Sequence, residues 1–192
     1  MSTKAKALRP NLDDLICQGD IFQHVVYNYI SKEEGNDVEV TQLEFPYAMV
    51  VSQSCDVIGM DYLVRNGGGG PAKFMPSILM CPIYTKQSIR DSNYVEDAFI
   101  ELGLNYFKET VLNKSGFETV EKDWHYRFHL LDIEMNKKPV MQNQLLDFKH
   151  YFSIPISSLL NSKKNRILKV DDVFAEQITL KFAAYLARVA IP

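Results

Sequence analysis

Three side chains that could cleave RNA recur at alternate positions in the second half of the chain. His125, Arg127 and His129 lie in a run, 124–133, whose alternating pattern predicts a strand. Cleavage through a 2′-hydroxyl needs a general base, a general acid and a cation beside the phosphate, and these three groups supply those roles. They are therefore the catalytic candidates. The same pattern is typical of a solvated sheet face, which is the interpretation we favour.

A thiol and a carboxylate stand side by side after an apolar run. With His24, His125 or His150 as a base, Cys55 could act as a nucleophile. The adjacent Asp56 opposes ionisation of the thiol, so we favour a structural role in which Asp56 caps or turns the backbone.

Metal binding is weakly indicated by the sequence. A site built from Cys55, Asp56, His125 and His129 has no pair of ligands with zinc-knuckle spacing. We predict neither a metal nor a cofactor.

Two polar segments are candidates for binding. One follows the apolar strand predicted at 48–51, and the other is a basic run that could meet phosphates. Nearby acids make a solvated loop the alternative for the basic run. The candidate residues are Ser52, Gln53, Cys55, Asp56, Lys163, Lys164 and Arg166.

The composition is that of an ordinary globular protein. The 192 residues suit one domain, with 46% hydrophobic and 23% charged residues and a formal net charge of −3. That charge gives no general basic excess of the kind typical of nucleic-acid binders. Three cysteines without a CxxC pair favour reduced thiols, and no signal peptide or membrane span is indicated. We expect a cytoplasmic protein.

The elements that must position these residues are mostly strands. We predict a leader at 1–18, barrel strands at 19–85, a helical insertion at 86–123, and closing strands with a C-terminal helix at 124–192. Strands are expected at 19–29, 38–43, 47–52, 75–83, 124–133 and 148–156. A helix is expected at 88–113, with a break at Gly103. The last helix is capped by Asp171 or Asp172 and carries a stripe of Phe174, Ile178, Phe182, Tyr185 and Val189.

Short motifs in this order resemble the MazF/PemK toxin family. They are Gly-Asp-Ile at 19–21, a proline before an apolar strand ending in Ser at 46–52, and Cys-Pro-Ile-Tyr-Thr at 81–85. The resemblance covers 19–85 and, more loosely, 126–189. It implies a mixed α+β fold, mostly antiparallel, with an SH3-like barrel, a helical insertion and a C-terminal helix packed on the sheet. It also implies an endoribonuclease paired with an antitoxin.

The chain departs from that family at the residues that act on RNA. The family's arginine before the proline and threonine after Pro-Ile are replaced by Phe45 and Tyr84, and Thr85 is displaced by one position. The Gln-Ser-Cys-Asp run at 53–56 and the ending at 188–192 also resemble a little-characterised bacterial group with a Gln-x-Cys-Asp signature, found in defence-type settings.

Our leading functional hypothesis is a binding and assembly component of a bacterial toxin–antitoxin or phage-defence system. Its partner would be a protein encoded nearby, either an antitoxin or a defence-system subunit. RNA and a second copy of the chain are further partners to consider, and a membrane is not. The alternative is a metal-independent endoribonuclease that uses His125, Arg127 and His129. A cysteine hydrolase centred on Cys55 is a third class.

Overall fold

The computed structural model describes residues 5–35, 37–67 and 74–188. These ranges contain eight strands and six α-helices. The strands are β1 Ala5–Leu8, β2 Asp20–Glu34, β3 Asp37–Val50, β4 Ser77–Thr85, β5 Phe128–Met135, β6 Lys138–Asp147, β7 Phe152–Pro155 and β8 Arg166–Val170. The helices are α1 Ser54–Asn66, α2 Lys86–Arg90, α3 Glu96–Glu101, α4 Lys114–Glu121, α5 Ile156–Asn161 and α6 Asp172–Leu186, and Lys163–Asn165 forms a 3₁₀ turn.

All eight strands belong to one sheet of order β3-β2-β8-β1-β5-β6-β4-β7. An additional pairing joins β3 to β4, from Tyr47 opposite Ile83 to Val50 opposite Met80. Following these pairings from β3 through β2, β8, β1, β5, β6 and β4 leads back to β3. Among the described pairs, β1 with β5 is parallel and the others are antiparallel. The predicted mixed α+β class with mostly antiparallel strands is confirmed.

The predicted leader contains a strand. Ala5–Leu8 lies between β5 and β8, with Ala5 opposite Ile133 and Leu8 opposite Lys169. Four residues rich in alanine have little intrinsic strand propensity, so the two neighbouring strands determine this conformation. The expectation of a leader over all of 1–18 is therefore wrong.

The predicted meander of three short strands is one long hairpin. The loop expected at 31–37 is mostly strand, and the strands expected at 38–43 and 47–52 are the single strand β3. Pro46 does not interrupt β3 because it stands opposite His24, whose φ of +52° already distorts the ladder at that point. Cross-strand pairing thus outweighs the polar composition of the tip.

The helix α1 was not predicted. The run at 52–56, expected as a corner after a strand, instead leads into this helix. Its buried positions are Val57, Met60 and Asp61. A buried carboxylate in the core-facing stripe obscured the helical period in the sequence.

The helical insertion consists of short pieces. The helix expected over 88–113 is replaced by α2, α3 and an irregular segment before α4. The break expected at Gly103 is confirmed, since Gly103 has a φ of +64° and its N–H donates to Ile100 O at 3.0 Å.

The strand predicted at 75–83 is confirmed as the central strand β4. Its residues Met80 to Tyr84 are all buried, and it pairs with β3 on one side and with β6 and β7 on the other. Three strands were not predicted, β1, β6 and β8, and the strand expected at 148–156 is shortened to β7 followed by α5.

The C-terminal helix α6 is confirmed and lies on the sheet. Asp171 caps it by accepting a hydrogen bond from Phe174 N at 3.0 Å. Phe174, Ile178 and Phe182 are buried in the same core cluster as residues of β4, β5 and β8. Val189, expected at the end of the stripe, lies outside the described residues.

Within the described ranges, no helix combines the length and apolar character needed to cross a bilayer. The glycine run at 67–70 falls mainly outside those ranges.

Candidate functional site

A cleft of about 660 Å³ lies between the β2–β3 hairpin, the end of β4 and the helices α2 and α3. This volume lies in the range typical of small-ligand and peptide sites. Aromatic side chains dominate its wall: Tyr27, Phe45, Tyr47, Tyr84, Tyr94, Phe99, Tyr151 and Phe152. Phe45 and Tyr84 therefore line the same cleft.

A buried ion pair stands behind the aromatic wall. Asp147, at the end of β6, is fully buried and accepts two hydrogen bonds from Arg127, Nε to Oδ1 at 2.8 Å and Nη2 to Oδ2 at 2.7 Å. Lys149 N donates to Asp147 Oδ1 at 2.9 Å. This two-pronged geometry fixes the guanidinium plane and neutralises its charge.

His150 connects this ion pair to two tyrosines. Arg127 Nη2 lies 3.0 Å from Tyr94 Oη and 3.3 Å from His150 Nε2. Because a guanidinium can only donate, Nε2 accepts and Nδ1 carries the proton. That Nδ1 lies 3.2 Å from Asp147 Oδ2 and 3.3 Å from Tyr84 Oη. Both ring nitrogens are thus occupied within the protein.

The environment keeps these groups in fixed protonation states. Burial lowers the pKa of His150 below its ordinary value, which keeps the ring neutral near pH 7. Burial raises the pKa of Tyr84 well above its ordinary value and also raises that of Tyr94. Burial alone would lower the pKa of Arg127, but its hydrogen bonds to Asp147 raise it. The cluster therefore presents neutral rings and hydroxyls to the cleft.

The structure does not bring the three catalytic candidates to one face. Strand β5 begins at Phe128, so the alternation that would align His125, Arg127 and His129 does not extend back to residue 125. His125 Nδ1 accepts the N–H groups of Arg127 and Phe128, both at 3.1 Å, and so stabilises a turn. The prediction that these residues share one strand face is wrong.

His129 lies on the side of the sheet covered by α6. Its Nδ1 is 2.7 Å from Asp123 Oδ1 and 3.2 Å from Lys181 Nζ, and its ring packs beside Phe174. The side chain is buried, whereas Arg127 belongs to the cleft cluster. The side chains of His129 and Arg127 therefore serve different parts of the molecule.

The polar run at 52–56 forms the start of α1. Ser52 Oγ accepts a hydrogen bond from Leu79 N at 2.8 Å, and Gln53 is the N-cap residue without a side-chain cap bond. Cys55 is exposed, and its Sγ lies 3.6 Å from Asp56 Oδ1 and 3.9 Å from Gln53 Oε1. No described contact joins this thiol to a histidine.

The basic binding candidates mostly face inward. Lys163 Nζ donates to the buried carboxylate of Asp61 at 2.8 Å, and Arg166 pairs with Asp20 at 3.1 Å. Lys164 alone of the three is exposed. Two of these cations hold the segment 11–15 in place through its carbonyls and are not available to a phosphate.

Sequence reasoning missed Asp147 and considered His150 only as a partner for Cys55. A signal was present, because Asp147 lies within an apolar run, Leu-Leu-Asp-Phe at 145–148, and a buried carboxylate requires a cationic partner. The sequence does not indicate that Arg127 is that partner.

No three His, Cys, Asp or Glu side chains of the described residues lie together as metal ligands would. In comparisons with known proteins, no family model, no curated protein and no solved structure matches the chain.

Proposed function

We propose that this chain is a cytoplasmic binding and assembly component of a bacterial toxin–antitoxin or phage-defence system, built on an SH3-like barrel of the MazF/PemK kind. The observation that carries the proposal is the chemistry of the cleft. Apart from tyrosines, its ionisable lining residues are Asp97, the neutral His150, and Glu44, whose Oε1 lies 2.7 Å from His24 Nδ1. None of the described residues that line it is a lysine or an arginine. Such a wall repels a polyanion and suits a protein segment with apolar and cationic side chains.

The barrel part of the proposal is supported by the sheet. The pairing of β3 with β4 returns the strand order to its start, and α6 packs against the sheet as the last element. The departures from the toxin family support binding over cleavage. Phe45 cannot ionise, and the raised pKa of Tyr84, caused by burial, keeps its hydroxyl neutral. Neither can replace an arginine beside a phosphate.

Apolar side chains beside the cleft also favour a protein partner. The segment that follows α3 exposes several of them to solvent: Leu102, Leu104, Phe107 and Val111. Exposed apolar groups concentrated in one segment are typical of interaction surfaces.

Co-expression with neighbouring genes tests the proposal. We expect the chain to co-elute with one of the neighbouring gene products in size-exclusion chromatography. Leu102→Glu, at a cleft residue that is 43% exposed, should abolish co-elution, whereas Ile100→Glu, at a neighbouring position that is 63% exposed and outside the cleft, should not. Equal behaviour of the two variants, or no partner, would contradict the proposal.

The endoribonuclease alternative has its own measurement. Purified protein is incubated with RNA without metal, beside a variant with alanine at His125, Arg127 and His129. We expect no cleavage by either protein, because the structure separates the three side chains. Cleavage that is lost in the variant would replace the binding proposal with the enzyme.

A further inference from the structure

One wall of the cleft is a strand edge without a neighbouring strand. β3 pairs with β2 along nearly its whole length, but with β4 only from Tyr47 to Val50. From residue 41 to residue 45, no described strand pairs with β3 on the side away from β2. Leu43 and Phe45 in this part line the cleft.

The backbone direction along β3 can be read from its end. Val51 N donates to Leu79 O at 3.0 Å, toward β4, whereas Val50 O accepts from Gly19 N at 2.9 Å, on the other side. Backbone groups alternate in direction along a strand, and the register of β3 against β2 is the same on both sides of His24, from Met49 back to Val40. The N–H and C=O groups of Leu43 and Phe45 therefore point away from β2, into the space beyond the end of the β4 pairing.

Unpaired edge groups of this kind are a template for another strand. Residues 41–45 present about 16 Å of edge at 3.3 Å per residue, enough for a segment of about five residues. The charge of the cleft determines which kind of partner segment would bind there. The carboxylate of Asp97 and the faces of the aromatic rings favour cationic side chains, whereas the carboxylate of Glu44 already pairs with His24 Nδ1 at 2.7 Å. The apolar wall favours hydrophobic side chains between the cationic ones.

We propose that an extended segment of a protein partner, with alternating basic and apolar side chains, adds to β3 at residues 41–45 as a further strand. This rests on the proposed function and specifies how the partner is held. Main-chain hydrogen bonds to Leu43 and Phe45 supply affinity, and Asp97 and the aromatic rings supply selectivity.

Synthetic peptides test the mode of binding. The probe is a fluorescent hexapeptide of alternating lysine and valine, measured by anisotropy, beside a glutamate–valine peptide and two N-methylated forms. One form is methylated at every lysine nitrogen and the other at every valine nitrogen. In an extended peptide the lysine N–H groups and the valine N–H groups point in opposite directions, so only one set can bond to β3. Methylation of that set should weaken binding at least about tenfold, and methylation of the other set should not. The glutamate peptide should also bind at least about tenfold more weakly.

Variants of the protein locate the site. Asp97→Lys reverses a charge in the cleft and should weaken binding of the lysine–valine peptide about tenfold. Glu101→Lys makes the same change on the same helix outside the cleft and should have no effect. Leu43→Pro removes an outward N–H without removing a bond to β2, and should weaken binding while circular dichroism shows a folded protein.

Equal effects of the two methylations, or no saturable binding at millimolar peptide, would overturn strand addition. If Leu102→Glu still abolishes co-elution with a partner in that case, the proposed function stands and only the mode fails. If the chain forms a dimer that Leu43→Pro dissociates and the peptide does not bind, the edge belongs to a second copy and the proposal of a basic partner fails.

Discussion

At the scale of single residues, Gly19, which directly precedes β2, has a backbone conformation and surroundings that favour glycine. Its φ is +82°, and an added Cβ would lie 2.7 Å from Ala175 Cβ and 2.8 Å from Val170 Cγ2. Both neighbours belong to elements packed in the core, so they cannot move aside freely. We expect Gly19→Ala to lower the free energy of unfolding by about 2–4 kcal/mol, as measured by urea denaturation.

Gly35 provides the matched control. It also has a positive φ, +63°, but nothing lies within 4 Å of an added Cβ. Gly35→Ala should cost about 1 kcal/mol from backbone strain alone. Equal losses for the two variants would show that the contacts with Ala175 and Val170 do not matter.

Asp20 should make stability depend on pH. Burial raises its pKa to about 6 from 3.8, despite its hydrogen bonds from Cys17 N and Arg166, and its Oδ1 has no partner among the described residues. The folded state therefore binds more protons than the unfolded state between about pH 4 and pH 6. The contribution of Asp20 to stability is fully present below about pH 4 and declines as pH rises to about 6, by about 3 kcal/mol in all.

Asp20→Asn isolates this effect from other titrating groups. The difference in unfolding free energy between the parent and the variant, measured by urea denaturation across pH 4–7, should change over that window. A difference that stays constant with pH would mean that Asp20 titrates normally.

At the scale of elements, α1 carries a glycine in its interior. Gly59 has open space around an added Cβ, and its φ is not positive. Glycine costs about 1 kcal/mol relative to alanine inside a helix because its unfolded backbone has more freedom. Gly59→Ala should therefore raise the unfolding free energy by about 0.5–1 kcal/mol.

Thermal unfolding checks this prediction. A melting temperature that rises by a few degrees agrees with the helix, whereas a lower one would indicate that residue 59 is not in a regular helix or meets a neighbour there.

Elements with a strong local signal could be predicted from sequence. The apolar run of β4 and the capped, striped helix α6 were found because burial on both faces and a 3.6-residue period leave direct patterns. β1 and β8 were missed because four and five residues carry too little pattern. Their conformation depends on strands distant in the chain.

The candidate site could likewise be predicted only in part from the sequence. The tyrosines and His150 are visible in the sequence as residue types, but their meeting depends on the turn before β5 and on the end of β6. Arg127 contacts Asp147 across twenty positions of chain. Alternation predicted a strand through residue 127, but His125 ends that pattern by bonding two backbone N–H groups. Side-chain capping of a turn leaves no periodic signal.

At the scale of the whole molecule, β1 joins the two halves of the sheet on the side that the β3–β4 pairing does not connect. β8 and β5 both pair with β1 and not with each other in the described strand order. Lys6 N also donates to Asp171 Oδ2 at 3.0 Å, which connects β1 to the cap of α6. A short N-terminal strand thus completes the circuit that the remaining elements leave open.

Ala5→Glu tests the importance of that closure. Ala5 is 2% exposed in the main core cluster, so a carboxylate there would be buried without a partner. We expect a loss of about 3 kcal/mol or more in unfolding free energy, with faster hydrogen exchange at Asp171, whose N–H donates to Lys6 O at 2.8 Å, and at Glu134 of β5, which pairs with Lys6.

Leu8→Glu is the control, since Leu8 lies in the same strand but is 53% exposed. It should change stability by no more than about 0.5 kcal/mol. Equal exchange rates at Glu134 in the parent and in Ala5→Glu would contradict a closing role for β1, because β5 would then be protected without it. Faster exchange at both residues in Ala5→Glu alone would show that the sheet depends on a segment whose own sequence barely indicates a strand.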